Sequence, residues 1–527
     1  MLVSVFTGCG TKEQTSGDRP ILTVGLPQQS FISSYDDNRF TDYIEEQLNV
    51  ELKFEYFSSS PSEYTKQLTL KAAANKKMPD VLWGFWGMDL YTINEFGQDG
   101  YFMDLKPLLE QYGKYYWEQF EKLDESEQEY LTEKGTDIVT GGQYAMPFYF
   151  EVEMMDTLQN TMYINQSWLD KLGLEAPKTM DDLYKVLTAF KTQDPNGNGQ
   201  ADEIPMLGKT KSMYPADNCI INAFVHYEEY NPYNAKDGQV YTPFTTDEYR
   251  QALICCNKLC SEGLLSDLNY TISSDEEFRA LITPADNVAK VGIWTGAPAY
   301  WTSADTEILD EYVALNVFEG ETELGGYAAI MQNELYWGNF ITKDCKDTEL
   351  ATKFLDFFYS DETVIRMRRG EKGVDWEESD GVNEYGDECH VKVINPDAQF
   401  TGNSTWGMNS SAIMTAANYL TIAENDGGRQ ADLSRLHNEA WQVRQSAKRP
   451  AEVVNQLVYT LDEYERKDEL NSSYISYIQE AKCLFITGGM NPSNDADWKE
   501  YLNNLEKLGH TELLKIAQDA YSRKIAK

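Results

Sequence analysis

Between Ile21 and Phe85 the apolar residues switch repeatedly between two spacings, and this alternation restricts the chain to an α/β fold on a parallel sheet. Ile21-Leu-Thr-Val-Gly-Leu26 is a short buried-strand run. Phe40, Ile44 and Leu48 then fall four apart, one stripe of an amphipathic helix. Val50, Leu52, Phe54 and Tyr56 alternate with Glu51, Lys53 and Glu55, as in a half-buried strand. A second helix from Ser62 to about Asn75 leads into Asp80-Val-Leu-Trp-Gly-Phe85. The order βαβαβ predicts a doubly wound sheet with right-handed crossovers. Such sheets bind ligands beyond the carboxyl ends of their strands. Trp83, Phe85 and Trp86 stand at the end of the third strand.

The chain has 527 residues, more than one core organises, so two or more lobes are expected. Met162-Tyr-Ile-Asn165 reads as a further strand, followed by a helix through Trp168 and Leu172. Thr179 caps a helix in which Leu183, Val186, Leu187 and Phe190 share a face. Val291-Gly-Ile-Trp-Thr-Gly296 and Tyr336-Trp-Gly-Asn-Phe-Ile341 are strand-like, and the last hundred or so residues read as mostly helical.

A formal net charge of −41 repels nucleic acid and anionic membranes, so neither is expected as a partner. The eight cysteines show no CxxC pair and no regular spacing, which indicates neither a zinc ribbon nor a dense disulfide scaffold. No GxSxG elbow, P-loop or HExxH is present.

Asp194-Pro-Asn-Gly-Asn-Gly-Gln-Ala-Asp-Glu-Ile-Pro205 is the most informative stretch. Oxygen donors recur at alternate positions: Asp194, Asn196, Asn198 and the Gln200 carbonyl, with Asp202 and Glu203 closing the set. Gly197 and Gly199 permit turns that gather these groups around one centre. Ca²⁺ takes about six to eight hard oxygens, so the loop is expected to hold structural calcium. The match to an EF-hand is partial, because the twelfth residue is Pro205 and Glu203 must supply the bidentate carboxylate.

The opening apolar run ends in Phe6-Thr7-Gly8-Cys9, which resembles the lipobox of bacterial lipoproteins. That resemblance makes Cys9 the lipidated residue and Thr11 to Arg19, polar and without apolar period, a flexible tether. No later stretch approaches the ~20 apolar residues of a spanning helix, so the lipid would be the sole membrane attachment.

Taken together, these segments resemble the extracellular solute-binding proteins of carbohydrate ABC importers, in the branch related to alginate-oligosaccharide-binding proteins. The carriers are Met78-Pro-Asp-Val-Leu-Trp83, Met146-Pro-Phe148, Tyr163-Ile-Asn165 with Trp168, Thr179-Met-Asp-Asp-Leu183 and the loop Asp194–Pro205. Gly373-Val-Asp-Trp376 and Trp498-Lys-Glu-Tyr501 add to them. The resemblance implies a periplasmic-binding-protein-like fold, two doubly wound lobes around a hinge with a cleft between them. It assigns residues 1–19 to the signal remnant and tether, 20–148 plus 338–398 to the N-terminal lobe, and 149–337 plus 399–527 to the other. Hinges are expected near Pro147 and Gly338. The implied partners are a sugar or oligosaccharide and the permease subunits, with the protein a monomer outside the cell membrane.

Sugar rings offer apolar C–H faces to aromatic rings and hydroxyls to polar groups. Trp83, Trp86, Trp294, Trp301 and Trp337 are the stacking candidates, with Tyr149, Glu151 and Asn339 as hydroxyl partners. Two other readings stay open: a secreted, calcium-stabilised glycoside hydrolase, which needs two carboxylates across a cleft, and a peptide-binding protein of the same fold.

Overall fold

The computed structural model describes residues 19–526 apart from 31, 151–160, 211–214, 229–230, 297–306, 329–333, 383–387, 396–397, 399–402, 407–411, 415–430, 453 and 455–456. Strands β1 (Ile21–Pro27), β2 (Glu51–Phe57) and β3 (Val81–Leu82) form where the alternation placed them, all parallel. The intervening helix Arg39–Leu48 starts at Asn38, whose side chain accepts from the Phe40 amide. It stops at Asn49, which adopts the left-handed conformation with φ 49°.

Strand β4 (Met146–Phe150) begins the connection to a second sheet, which holds β5 (Met162–Asn165), β6 (Ile204–Leu207), β9 (Val291–Thr295) and β10 (Tyr312–Leu315) in the order β10-β5-β9-β6. Between β6 and β9 lies a hairpin of β7 (Asn234–Lys236) and β8 (Gln239–Tyr241). The chain returns along β11 (Glu334–Ile341), which runs antiparallel to both β3 and β4. A ribbon of β12 (Trp376–Val382) and β13 (Glu388–Val393) follows, and β14 (Ile413–Met414) joins the first sheet parallel to β4. The first sheet therefore reads β14-β4-β11-β3-β1-β2.

Each sheet is packed in its own apolar core, as two lobes require. In the second lobe, Thr179 and Asp182 close a capping box at the helix Met180–Thr192. Helices Leu461–Thr487, Asp495–Lys507 and His510–Ile525 also belong to that core, through Phe485, Trp498, Tyr501 and Leu513. Among the described residues no helix is long and apolar enough to cross a membrane.

The lobe boundaries differ from the expected ones. Tyr149 and Phe150 remain in the first sheet, and β11 enters it at Glu334. Residues beyond 398 return to the first lobe: Trp406 packs against Tyr35, Phe40 and Trp83, and Ile413 pairs with Tyr149. A two-residue strand carries no period, so its sequence does not announce it.

Candidate functional site

At the carboxyl end of β3 the chain turns through Gly84, whose φ of +84° suits glycine. Beyond the turn, Trp86 lies half-buried over Gly338 of β11. A Cβ on Gly338 would stand 2.5 Å from the Trp86 ring, so the indole occupies the space that any side chain would need. Its Nε1 is enclosed and makes no hydrogen bond.

Trp86 starts a row of aromatic rings. It meets Phe148 of β4 at 5.7 Å between centroids. Phe148 in turn stacks on its cross-strand partner Tyr336 at 6.1 Å. Tyr336 is 41% exposed. Residues paired across a ladder share a face, and alternate residues repeat it. Phe148, Phe150 and Tyr336 thus line one side of the β4–β11 ribbon. Pro147, Tyr149, Leu335 and Trp337 line the other. A row of ring faces can hold the apolar side of a sugar chain.

Of the described residues expected to touch a ligand, Trp86 alone is among these rings. Trp83 is buried against Phe358 and Trp406. Trp294 is fully buried in the second core, stacked on Tyr163 at 4.4 Å. Trp337 packs against Gly135 on the far side of the ribbon. These three are corrected to core residues, because each ring packs inward among buried apolar side chains. Tyr149 is likewise buried, its hydroxyl donating to Glu127. Asn339 is buried, and its Oδ1 accepts from the Gly84 amide at 3.0 Å, so it shapes the turn that carries Trp86. Glu151 and Trp301, like Cys9, lie outside the described residues. Sequence reasoning missed Phe148 and Tyr336. Period-two alternation carried the signal, since Tyr336 and Trp337 must point oppositely.

The oxygen-rich loop connects the helix Met180–Thr192 to β6. Asp194 enters it with φ 46°, and its carboxylate accepts from the Gly199 amide. The side-chain amides of Asn196 and Asn198 both donate to Asp202 Oδ1, at 3.1 and 3.0 Å. Asn196 Oδ1 and Asn198 Oδ1 accept from the backbone two residues on. Hydrogen bonds from Asn198 and Asn196 hold the Asp202 carboxyl below its usual range. Burial pushes Glu203 the other way, reinforced by the charges of Asp194 and Asp202. Glu203 Oε1 is buried with no hydrogen-bond partner. Among the described residues, His, Cys, Asp and Glu alone assemble no group of three or more for a metal. A cation here would therefore rest on the asparagine amides and the Gln200 carbonyl as well. The orphaned Glu203 oxygen beside two further carboxylates fits a hard divalent cation.

A model for bacterial extracellular solute-binding proteins matches residues 33–365, more than half of the chain. The chain belongs to that family. A curated relative, the fructooligosaccharide ABC transporter substrate-binding protein FusA of Streptococcus pneumoniae serotype 4, is 22% identical, with 99% of this chain and 96% of FusA aligned. Among solved structures, an "HMO binding" ABC-transporter-associated solute-binding protein of Bifidobacterium longum infantis superposes with a TM-score of 0.74 at 23% identity, covering 96% of this chain and 99% of that one. The alginate-binding protein AlgQ2 superposes with a TM-score of 0.61 at 18% identity, covering 96% and 99%. These likenesses bear out the expected two-lobed fold.

Proposed function

We propose that this chain is the substrate-binding component of an ABC importer for oligosaccharides. It takes the glycan between its lobes outside the cell and delivers it to membrane permease subunits. The observation that carries this reading is the row Trp86–Phe148–Tyr336 at the carboxyl end of β3, in a member of an extracellular solute-binding family. The name of FusA, aligned over nearly the full length, supports the glycan class and the transporter. The protein acts as a monomer, without catalysis, held to the membrane by a lipid on Cys9. Calcium bound by Asp194, Asn196, Asn198, Gln200, Asp202 and Glu203 braces the second lobe. Rotating the two asparagine amides about their last bonds would turn oxygens toward that centre.

The test is a thermal-shift panel of fructo-, milk- and uronate-oligosaccharides, with peptides as controls and the spent glycan checked for cleavage. A ligand at 100-fold its Kd adds about 2.7 kcal/mol. A shift with one intact glycan is expected. A cleaved glycan would replace this reading with a hydrolase, and a shift with peptide alone would replace the ligand class.

A further inference from the structure

The lobes touch on the opposite side of the β4–β11 ribbon from the aromatic row. Helix Glu125–Gly135 of the first lobe lies along that side: Glu127 accepts from the Tyr149 hydroxyl, and Gly135 abuts the Trp337 ring. A segment of the second lobe, residues 457–464, reaches over this helix and its neighbour Leu90–Gln98. Tyr464 stacks on Tyr91, only 16° from parallel. The Tyr464 hydroxyl lies 3.3 Å from Asp89 Oδ1, and the Tyr91 hydroxyl donates to the Tyr459 carbonyl, also at 3.3 Å. Lys134 donates to the Leu457 carbonyl. The lysine is buried there, which lowers its pKa to about 8, with Lys467 and Lys524 adding to the effect. Beside these contacts a cavity of about 630 Å³ separates the lobes, lined by Tyr130, Tyr459 and Arg523 among others. The interface is thus a few discrete contacts beside a void, which rigid-body motion can separate.

We propose that Tyr91 and Tyr464 form a latch that holds the lobes apart on the ligand side and thereby sets the ligand affinity. The chain leaves the first lobe after β4 and re-enters it at β11, where Phe150 and Glu334 are paired, so a rotation about that end of the ribbon that closes the Trp86 side opens the side bearing the latch. Closure around a ligand then has to separate Tyr464 from Tyr91 and Asp89, and that cost subtracts from the binding free energy. The inference rests on the reading that ligand binds at the Trp86 row, and it makes the two tyrosines affinity-determining without contact to ligand.

The experiment compares wild type, Tyr464→Ala and Tyr464→Phe by small-angle X-ray scattering without ligand. Each is then titrated with whichever glycan the panel selects. Tyr464→Phe keeps the ring stack and loses the Asp89 contact, so it serves if the alanine variant fails to fold. Tyr464→Ala is expected to shift the ligand-free scattering toward a more compact form and to tighten the glycan Kd fivefold or more, with Tyr464→Phe in between. Scattering unchanged in both variants overturns the latch. A Kd weakened tenfold with unchanged scattering would place the ligand on this side, overturning the Trp86 site as well. If no glycan binds any form, the oligosaccharide reading fails, while the ligand-free scattering still decides the latch.

Discussion

Pro147 and Trp337 face each other across the ladder of β4 and β11, and the Pro147 carbonyl also accepts a hydrogen bond from the Tyr359 hydroxyl. Gly338, the other expected pivot, sits at an irregularity of the same ladder and accepts from the Phe85 amide at 2.9 Å. Turning the backbone at either residue would break paired strands, so the ribbon moves as a unit. Gly338 serves instead as the seat of Trp86.

Gly338→Ala therefore tests the seat. A methyl group would meet the Trp86 ring at 2.5 Å and the Trp86 backbone nitrogen at 2.8 Å. Because backbone as well as side chain must give way, a loss of about 1–3 kcal/mol in stability is expected. Ligand affinity should fall with it, read by melting and by titration.

Trp86→Ala and Trp294→Ala should separate binding from packing. Losing the Trp86 ring is expected to cost about 1.4 kcal/mol of binding, or roughly tenfold in Kd, with little change in melting temperature. Trp294 is fully buried and stacked on Tyr163. Its truncation should lower stability by about 3–5 kcal/mol. Equal effects on Kd from the two variants would remove Trp86 from the site.

In the proposed calcium site, Glu203 would link the cation to pH. Its folded pKa is raised by burial, so the charged form is the costly one in the fold. Stability of the chelated protein is expected to fall as pH rises from the unfolded value of about 4.3 through the raised folded value. Calcium should restore the melting temperature, with proton release on binding confined to the pH range in which Glu203 titrates. Glu203→Gln should melt higher than wild type in chelator and gain little from calcium. A calcium increment undiminished in this variant would remove Glu203 from the ligand set.

His510 gives the opposite slope. It opens the helix His510–Ile525, with the Tyr474 hydroxyl 2.9 Å from its Nδ1. Burial lowers its pKa, although the Glu506 charge works against the shift. A helix N-terminus also disfavours imidazolium. Its stabilising contribution is present above the unfolded value of about 6.5 and is lost as pH falls through the lower folded value. Melting curves between about pH 7.5 and 5 should show this decline, and His510→Gln should flatten part of it.

Much of the fold was legible because period is a local property. The alternation from Ile21 to Phe85 fixed the first parallel strands, and Thr179 marked its helix by the capping residue alone. The aromatic site was legible only as far as Trp86. Whether a tryptophan at a strand end faces ligand or core depends on register, and one residue separates Tyr336 from Trp337. Strand β14 and the placement of Trp406 depend on contacts with residues several hundred positions earlier, which no window of sequence contains.

The return of β14 also dictates an order of assembly. The four strands of the second sheet all fall between Met162 and Leu315, so that sheet can close on a contiguous piece of chain. The first sheet needs partners from Ile21 to Met414 and encloses the second sheet within a long insertion. Loop closure of that length gains little until the insertion has collapsed. The sheet that starts the chain is thus the one completed later, and cutting the gene at either crossing would leave the first sheet without its last strand.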